Sequence, residues 1–386
     1  MKITMISNYI NHHQIPFSNA LYTLVGSDYH FIQTEPMEAE RKAMGWSVEE
    51  GSVPYLVELE KEPELCKDLL DTSDIVLVGW MEREDLITPR LQQRKFTIRI
   101  SERLYREGQW KAISPRGLVH KYQDHTRYRK DPVYLLCAGA YVASDFHLVG
   151  AYPGKMYRFG YFPQTSPCSL EEQLAKKPDI SAPDAKIQLV WAGRFIPLKH
   201  PEYMLQLAAS LQKKGYPFHL HMVGGGELEE SLKAQAKALQ VEENITFYGF
   251  QAPEKVRQIM EQCHIHIFTS NHLEGWGAVV NEAMNSACVE ITNVAVGAAP
   301  YLITHGKNGL LYDKTYESME EQVLSVFDHK ERIKTLGTAA YGTIATEWNA
   351  ETAAGRLLQF YEGFLQGTLP TWESGPFSKA PCIRPK

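Results

Sequence analysis

Short apolar runs alternate along the chain with longer segments in which apolar residues recur at helical spacing. In the first half the apolar runs predict five strands, at Lys2–Ile6, His30–Gln33, Ile75–Gly79, Phe96–Ile100 and Ala140–Ala143. In the second half they predict five more, at Ile187–Ala192, Phe218–Val223, Ile245–Tyr248, Ile265–Phe268 and Val289–Thr292. Strands that alternate with helices form βαβ units, so the pattern indicates an α/β protein with a mainly parallel sheet in each half.

Chain length and local composition divide the sequence into two domains. With 386 residues the chain exceeds what one hydrophobic core usually serves. A stretch with Pro and Ser but no sustained periodicity predicts a linker at residues 164–185, between an N-terminal Rossmann-like domain over 1–163 and a C-terminal one over 186–350. Helical spacing predicts a terminal helix at about 351–366, and the Pro- and Gly-rich residues 367–386 predict an irregular tail.

Composition narrows the class of protein. Apolar residues make up 44% of the chain and charged residues 22%, which is typical of a soluble α/β enzyme. The six cysteines form no Cys-x-x-Cys pair, which favours a reducing cytoplasm over a disulfide framework. The first apolar run is too short for a signal peptide, and no stretch approaches the ~20 apolar residues of a spanning helix. We therefore expect a cytoplasmic protein whose membrane contact, if it has any, is peripheral.

The segment from Phe268 to Ala287 carries the strongest chemical signal. It crosses from a strand through a glycine-broken loop into a helix. Free N–H groups at the helix start, with the positive end of its dipole, predict a seat for a diphosphate, and Gly275 and Gly277 allow close backbone approach. Glu274 in the loop and Glu282 in the helix could hold sugar and ribose hydroxyls. Two solvated surface glutamates are the alternative.

A second strand end places two cations beside this segment. The strand that ends at Gly193 is followed by Arg194 and Lys199. Ligands of open α/β sheets bind at the carboxyl ends of the strands, and guanidinium and ammonium groups both bind phosphate. Ordinary surface cations are the alternative.

The glycine run after the next strand is weaker evidence for a nucleotide-binding site. Gly224 and Gly226 supply the first two glycines of a dinucleotide fingerprint, but Glu229 occupies the third position, so NAD binding is not indicated. Gly224 and Gly225 could line a nucleotide site or only form a turn. No Asp-x-Asp occurs, and of the alternating pair His264 and His266 we expect one buried and one exposed member, so we predict no catalytic metal.

Taken in order across residues 187–313, these segments resemble the retaining glycosyltransferases of the GT-B fold, in particular the family 4 group (glycosyl transferases group 1). The matching pieces are Gly193-Arg194 with Lys199, Val223–Gly226, Ile245–Phe250, Glu274 and Glu282, Gly297–Pro300 and Lys307–Tyr312. The resemblance implies two facing Rossmann-like domains with parallel sheets and a C-terminal helix that crosses back to the N-terminal domain. It also implies metal-independent transfer, with retention, from a UDP- or GDP-sugar co-substrate to a glycan or lipid-linked acceptor in surface polysaccharide or glycolipid synthesis, without a cofactor.

The resemblance assigns roles by position. Arg194 and Lys199 become diphosphate ligands, Glu274 contacts the transferred sugar and Glu282 contacts the ribose. The implied donor site is completed by Gly193, Gly224, Gly225, Phe250, Gly275, Trp276, Gly277 and Ala278.

The N-terminal half departs from the family pattern. The loop after the first strand lacks the usual Gly-Gly pair, and a His-containing loop that often follows the fourth strand is replaced by Ser101 and Glu102. We expect His13 as a cleft and catalytic residue, with Asn11 and Glu102 on the acceptor side.

Residues 90–131 carry twelve Lys or Arg against four Asp or Glu, interleaved with aromatic residues. Such a stretch suits an anionic lipid surface or a diphosphate-lipid acceptor, and no nucleic-acid partner is expected. Alternatively, the acidic stretch Glu35–Asp85 packs beside it and neutralises it. A nucleotide-sugar 2-epimerase and a catalytically silent glycan- or nucleotide-binding module remain alternative functions.

Overall fold

A computed structural model describes residues 1–38 and 53–384, which divide into two compact units. The first unit combines Met1–Gln164 with Trp348–Lys386, so both ends of the chain belong to it. The second unit is the continuous segment Thr165–Glu347. None of the described helices has the length and apolar composition that crossing a bilayer requires.

The first unit is built on a seven-stranded parallel sheet in the order β3-β2-β1-β4-β5-β6-β7. Its strands are β1 Ile3–Ser7, β2 Tyr29–Gln33, β3 Leu56–Glu58, β4 Ile75–Val78, β5 Thr97–Ser101, β6 Val133–Ala138 and β7 Met156–Phe159. Its first helices are α1 Ile15–Val25, α2 Pro63–Thr72, α3 Thr88–Gln92, α4 Pro115–Asp124 and α5 Val142–Leu148.

The second unit is built on a six-stranded parallel sheet in the order β10-β9-β8-β11-β12-β13. Its strands are β8 Ile187–Ala192, β9 Phe218–Val223, β10 Ile245–Gly249, β11 Ile265–Phe268, β12 Val289–Asn293 and β13 Leu310–Tyr312. Its helices are α6 Leu170–Ala175, α7 Glu202–Lys213, α8 Glu229–Ala238, α9 Pro253–Glu261, α10 Ala278–Asn285, α11 Ala299–Leu302, α12 Tyr316–Phe327 and α13 Glu331–Thr346.

Both faces of the second sheet are covered, as expected for a parallel sheet. Leu189 and Trp191 of β8 belong to one buried apolar cluster, whereas Val190 and Ala192 of the same strand belong to another that includes Ala283 of α10. This alternation places α10 on the face of the sheet that carries Val190.

Nine of the ten predicted strands are confirmed to within one residue at each end. The prediction of a strand at Ala140–Ala143 is wrong: β6 ends at Ala138, and the residues after Gly139 turn into α5. Residues 133–143 form an almost unbroken apolar run, and a short apolar run fits a buried strand as well as a buried helix start. Gly139, with φ of +131°, ends the strand.

The segment 164–185, expected to form a linker, belongs to the second unit from Thr165 onward and includes a short helix. Ser169 and Glu172 form a capping box at the start of α6, and the Gln173 side chain donates to the carbonyl of Ser286 at 3.3 Å. Local hydrogen bonding therefore ties this stretch to the second unit.

The chain returns to the first unit through α14, Ala350–Leu365, which packs against α1. Beyond it the described residues form no further helix or strand, yet Phe377 is buried. The Arg158 N–H of β7 donates to the carbonyl of Ser378 at 2.7 Å, and the Phe377 N–H donates to the carbonyl of Arg158 at 2.8 Å. The C-terminal segment thus covers the outer edge of β7, which would otherwise expose unpaired backbone groups.

Candidate active site

In the second unit, the turns that follow β8, β9 and β10 lie side by side. The Gly193 N–H donates to the carbonyl of Val223 at 3.0 Å, and the Gly224 N–H donates to the carbonyl of Gly249 at 2.9 Å. Gly224 has φ of +133°, and a Cβ there would lie 1.9 Å from the Gly193 carbonyl oxygen. Glycine is therefore required at this position by both conformation and space.

Lys199 and Glu274, predicted from separate motifs, form an ion pair in which Lys199 Nζ lies 2.5 Å from Glu274 Oε2. The Lys199 ammonium also lies 4.7 Å from the ring centroid of Phe268, the last residue of β11. Both side chains of the pair are mostly buried, with 13% and 16% of their surface exposed. The pair fixes a cation and a carboxylate at the carboxyl edge of the sheet.

The backbone holds the two loops of this pair together. The Asn271 N–H donates to the carbonyl of Leu198 at 3.0 Å, and the Glu274 N–H donates to the carbonyl of Asn271 at 3.1 Å. The indole of Trp191 donates to the Thr269 hydroxyl at 2.7 Å, and that hydroxyl donates to the carbonyl of Lys199. Because these bonds start from a buried strand, Lys199 and Glu274 are positioned by the sheet.

Helix α10 begins directly after Gly277, which adopts the left-handed conformation with φ of +90°. A Cβ at Gly277 would lie 2.9 Å from the Phe268 ring and 3.1 Å from Val296. Trp276 is buried, and its indole donates to Asn281 Oδ1 at 2.8 Å. Gly277 has no side chain to cap the first turn, so the helix presents its N-terminal N–H groups and dipole as a seat for an anion.

Glu282 lies one turn into α10 and is half-buried. No residue of the described ranges 1–38 and 53–384 makes a hydrogen bond or ion pair with its carboxylate. Burial raises the pKa of Glu282, while Arg257 and His266 oppose that rise. A partly buried carboxylate that lacks hydrogen bonds within the protein can accept them from a ligand, so Glu282 is suited to bind hydroxyl groups.

The remaining predicted donor residues lie on the same turns. Arg194 is exposed and makes no ion pair within the described part of the chain. The Phe195 N–H donates to the carbonyl of Gly225 at 2.9 Å, which joins the turns after β8 and β9. Phe250 follows β10 with 59% of its surface exposed. The structure thus brings the predicted donor residues to the carboxyl ends of β8 to β11 and to the start of α10.

The prediction that one of His264 and His266 is exposed is wrong, because both are buried. His264 precedes β11, and its Nδ1 accepts the Gln188 N–H at 3.0 Å. In β11, His266 Nδ1 lies 2.6 Å from Glu290 Oε2, and neither side chain has any exposed surface. The sequence gives no sign of this pairing, because His266 and Glu290 become neighbours only through the β11–β12 register.

A separate polar cluster occupies the carboxyl edge of the first sheet. The His13 ring stacks on Tyr161 with centroids 5.7 Å apart, and the Tyr161 hydroxyl donates to Glu102 Oε1 at 2.5 Å. Glu102 also pairs with Arg106, and Asn11 Oδ1 accepts the His13 N–H at 3.0 Å. Tyr161, which the sequence analysis did not single out, therefore contacts both His13 and Glu102, and Asn11 joins the cluster through its hydrogen bond with His13.

Burial, with a smaller contribution from His12, lowers the pKa of His13 to about 3. The imidazole is therefore neutral near pH 7 and can accept or donate a hydrogen bond without carrying charge.

Several cations of residues 90–131 are used inside the first unit, so the stretch does not present one continuous basic surface. Arg90 is buried and donates to backbone carbonyls, including that of Ser73 at 2.8 Å. Three further cations pair with carboxylates: Lys95 with Asp71 at 2.6 Å, Arg99 with Glu84 at 2.8 Å and Arg103 with Asp145 at 3.3 Å. The acidic-neighbour alternative therefore holds for Lys95 and Arg99, because Asp71 and Glu84 belong to the Glu35–Asp85 stretch.

The second unit is similar to a known protein family. Residues 172–343 match the family model described as "Glycosyl transferases group 1". The second unit contains a glycosyl transferases group 1 domain. The matched residues include every predicted donor residue named above.

Individual relatives align with about half of the chain. The D-inositol 3-phosphate glycosyltransferase of Segniliparus rotundus is 25% identical over 202 residues, 51% of this chain and 44% of the relative. The GDP-mannose-dependent alpha-(1-6)-phosphatidylinositol monomannoside mannosyltransferase of Mycobacterium tuberculosis is 24% identical over 182 residues, 45% of this chain and 47% of the relative. The alignments thus span less than half the length of these relatives.

Solved structures match nearly the whole chain. Anabaena Alr3699/HepE in complex with UDP has a TM-score of 0.65 at 15% identity, covering 94% of this chain and 100% of its own. The lipopolysaccharide outer core galactosyltransferase WaaB, in its apo form, has a TM-score of 0.64 at 17% identity, covering 95% and 98%. At these identities the likeness establishes the fold, which is the GT-B type with two Rossmann-like units.

Proposed function

We propose that the protein transfers a sugar from a nucleotide sugar to a glycan or lipid-linked acceptor, with retention of anomeric configuration. The observation that carries the proposal is the 2.5 Å pairing of Lys199 with Glu274 beside the uncapped start of α10. This arrangement offers positive charge for a diphosphate and a carboxylate for sugar hydroxyls. The names of the relatives support it, since they include a GDP-mannose-dependent mannosyltransferase and a protein crystallised with UDP.

Each of the predicted donor-site groups in the second unit then has a role in the transfer. Arg194, Lys199 and the N–H groups at the start of α10 stabilise the diphosphate as it leaves. Glu282 holds the ribose and Glu274 the transferred sugar. Positive charge that is fixed in place before the reaction stabilises a departing nucleoside diphosphate without needing a metal, so we propose metal-independent transfer with a UDP- or GDP-sugar as co-substrate.

On the acceptor side, we assign the cluster of His13, Tyr161 and Glu102 to binding the incoming hydroxyl group. The neutral imidazole, the phenol and the carboxylate supply both donors and acceptors of hydrogen bonds. In a single displacement, retention requires attack from the face that the diphosphate leaves, so the acceptor proton passes to a group on that same face.

The test is release of nucleoside diphosphate from a panel of UDP- and GDP-sugars, with and without a glycan or lipid-linked acceptor. We expect release that depends on the acceptor, continues in EDTA and gives a product with the anomeric configuration of the donor by NMR. Loss of activity in EDTA that magnesium or manganese restores would contradict metal independence. Conversion of the donor sugar without any acceptor would favour a 2-epimerase instead. Donor binding with no turnover on any acceptor would favour a silent module.

A further inference from the structure

We propose that residues 110–122, which comprise the turn before α4 and all but the last two residues of that helix, form a surface, the α4 surface, that binds an acidic lipid bilayer. The inference extends the proposed function by naming where a lipid-linked acceptor would be met, and it can be tested without donor or turnover.

The first observation is an apolar stripe that faces solvent. Leu118, Val119 and Tyr122 fall within about 100° of each other on a helix with 3.6 residues per turn. In a globular protein such a stripe normally packs on the core, yet no residue of α4 is buried. Val119 and Tyr122 have 56% and 59% of their surface exposed. No residue of the ranges 1–38 and 53–384 covers the stripe.

The turn before α4 also exposes large apolar side chains. Trp110 is 69% exposed and Ile113 is 79% exposed. Five large apolar side chains are thus exposed within thirteen residues, whereas exposed large apolar residues elsewhere in the described chain are scattered. Large exposed apolar side chains that are concentrated in one segment, and not scattered singly, indicate an interaction site.

The second observation is the charge around the stripe. Residues 108–123 contain no Asp or Glu, while they contain Lys111, Arg116 and Lys121. Within the described chain, Arg116 and Lys121 form no ion pair, although Lys121 interacts electrostatically with Asp124 at the end of α4. Lys111 pairs with Glu107, which lies just outside the segment. This contrasts with residues 90–103, whose cations are largely used inside the unit. The cations of residues 90–131 that face solvent without an ion pair therefore lie mainly in this segment and at residues 127–130.

This combination of side chains favours a bilayer as the partner. Trp and Tyr are enriched where a membrane meets water, and Leu, Val and Ile can enter the boundary between headgroups and acyl chains. Lys and Arg beside them are attracted by anionic headgroups. A nucleic acid would meet the same cations but would leave the aliphatic side chains unpartnered.

The experiment is flotation of the full chain with vesicles of phosphatidylcholine alone and of phosphatidylcholine with phosphatidylglycerol, at low and high salt. We expect binding to the acidic vesicles that weakens with salt, since exposed charges are screened beyond about 8 Å at physiological ionic strength. The double variants Ile113→Ser/Val119→Ser and Arg116→Glu/Lys121→Glu should each lower partition onto acidic vesicles by about tenfold or more.

Matched controls are Leu365→Ser and Lys334→Glu, which change an exposed apolar residue and an exposed cation away from the α4 surface and should bind as the parent does. Circular dichroism confirms that all variants fold. Absence of binding to acidic vesicles at low salt, or equal binding by parent and variants, would overturn the proposal. Self-association in sedimentation that the Ile113→Ser/Val119→Ser variant abolishes, without vesicle binding, would also overturn it and would assign the surface to a second copy.

These outcomes are separable from those for the proposed function. A failed flotation with intact acceptor-dependent turnover would reject only the α4 surface. Binding to acidic vesicles without turnover on any acceptor would reject only the transferase assignment.

Discussion

The ammonium of Lys199 and the carboxylate of Glu274 lie 2.5 Å apart, although 75 residues separate them in the sequence. Each neutralises the other in a site that is mostly shielded from water. Removing one partner of such a pair leaves an uncompensated charge, so the two residues should be coupled in both stability and catalysis.

Glu274→Ala should lower kcat by about 10²-fold if its contact with the sugar is worth ~3 kcal/mol in the transition state. The physical reason is that the sugar gains positive charge as its bond to the diphosphate breaks, which strengthens the contact with a carboxylate. Steady-state kinetics measures the effect, with Glu254→Ala as a control at an exposed glutamate of α9. Full activity in Glu274→Ala would remove this residue from the donor site.

Glu282→Ala should mainly raise the KM for the nucleotide sugar, with kcat less affected, because a contact with the ribose is similar in the ground and transition states. Relative to its parent, the same variant should also be more stable at neutral pH than at acid pH. Burial raises the pKa of Glu282, so above that pKa the folded parent holds an unfavourable, partly buried charge that the variant lacks. Donor titration and urea unfolding measure the two effects. An unchanged KM with a reduced kcat would contradict the assignment to ribose.

Gly277→Ala should lower the free energy of unfolding by about 1–3 kcal/mol and weaken donor binding. The new Cβ would have to occupy the left-handed region at φ of +90° and lie 2.9 Å from the Phe268 ring. Gly342→Ala in α13 is the matched control, because its Cβ would meet nothing within 4 Å and alanine favours a helix interior by roughly 0.5–1 kcal/mol. Equal stability of the two variants, measured by urea unfolding, would show that the turn before α10 tolerates a side chain.

The stability of the protein should fall as pH falls from about 6.5 towards 3, in part through His13. Its pKa is about 3 in the folded protein, so the unfolded chain binds more protons throughout that window, and protonation favours unfolding. His13→Gln should reduce the fall by about 1–3 kcal/mol, since each pKa unit corresponds to ~1.4 kcal/mol. Urea unfolding at pH 7 and pH 4 compares it with a control substitution at exposed His147. An identical pH dependence in His13→Gln and its parent would contradict the lowered pKa.

Sequence alone was sufficient where a signal is local. Bounded apolar runs predicted nine strands, and the strand–loop–helix passage around Gly277 predicted where α10 begins, because each of these signals is contained in a few consecutive residues. The strand at Ala140–Ala143 was wrong because apolar character alone does not distinguish a buried strand from the buried start of a helix.

Partners that meet only in three dimensions could not be predicted. His13, Glu102 and Tyr161 come from three separate loops of the first unit, and His266 meets Glu290 through strand register. The cations of residues 90–103 show the same limit, since a count of charges does not reveal which guanidinium groups donate to carbonyls inside the fold.

The return of α14 to the first unit has a consequence for the order in which the protein can be completed during synthesis. Domains generally fold as units while the chain emerges from the ribosome. Here the group 1 domain is one continuous segment and can finish first, whereas the unit translated earlier lacks α14 and its edge cover until residues 348–386 have emerged. The oldest part of the nascent chain is therefore the last to close, with the α1 surface that α14 covers left open until then.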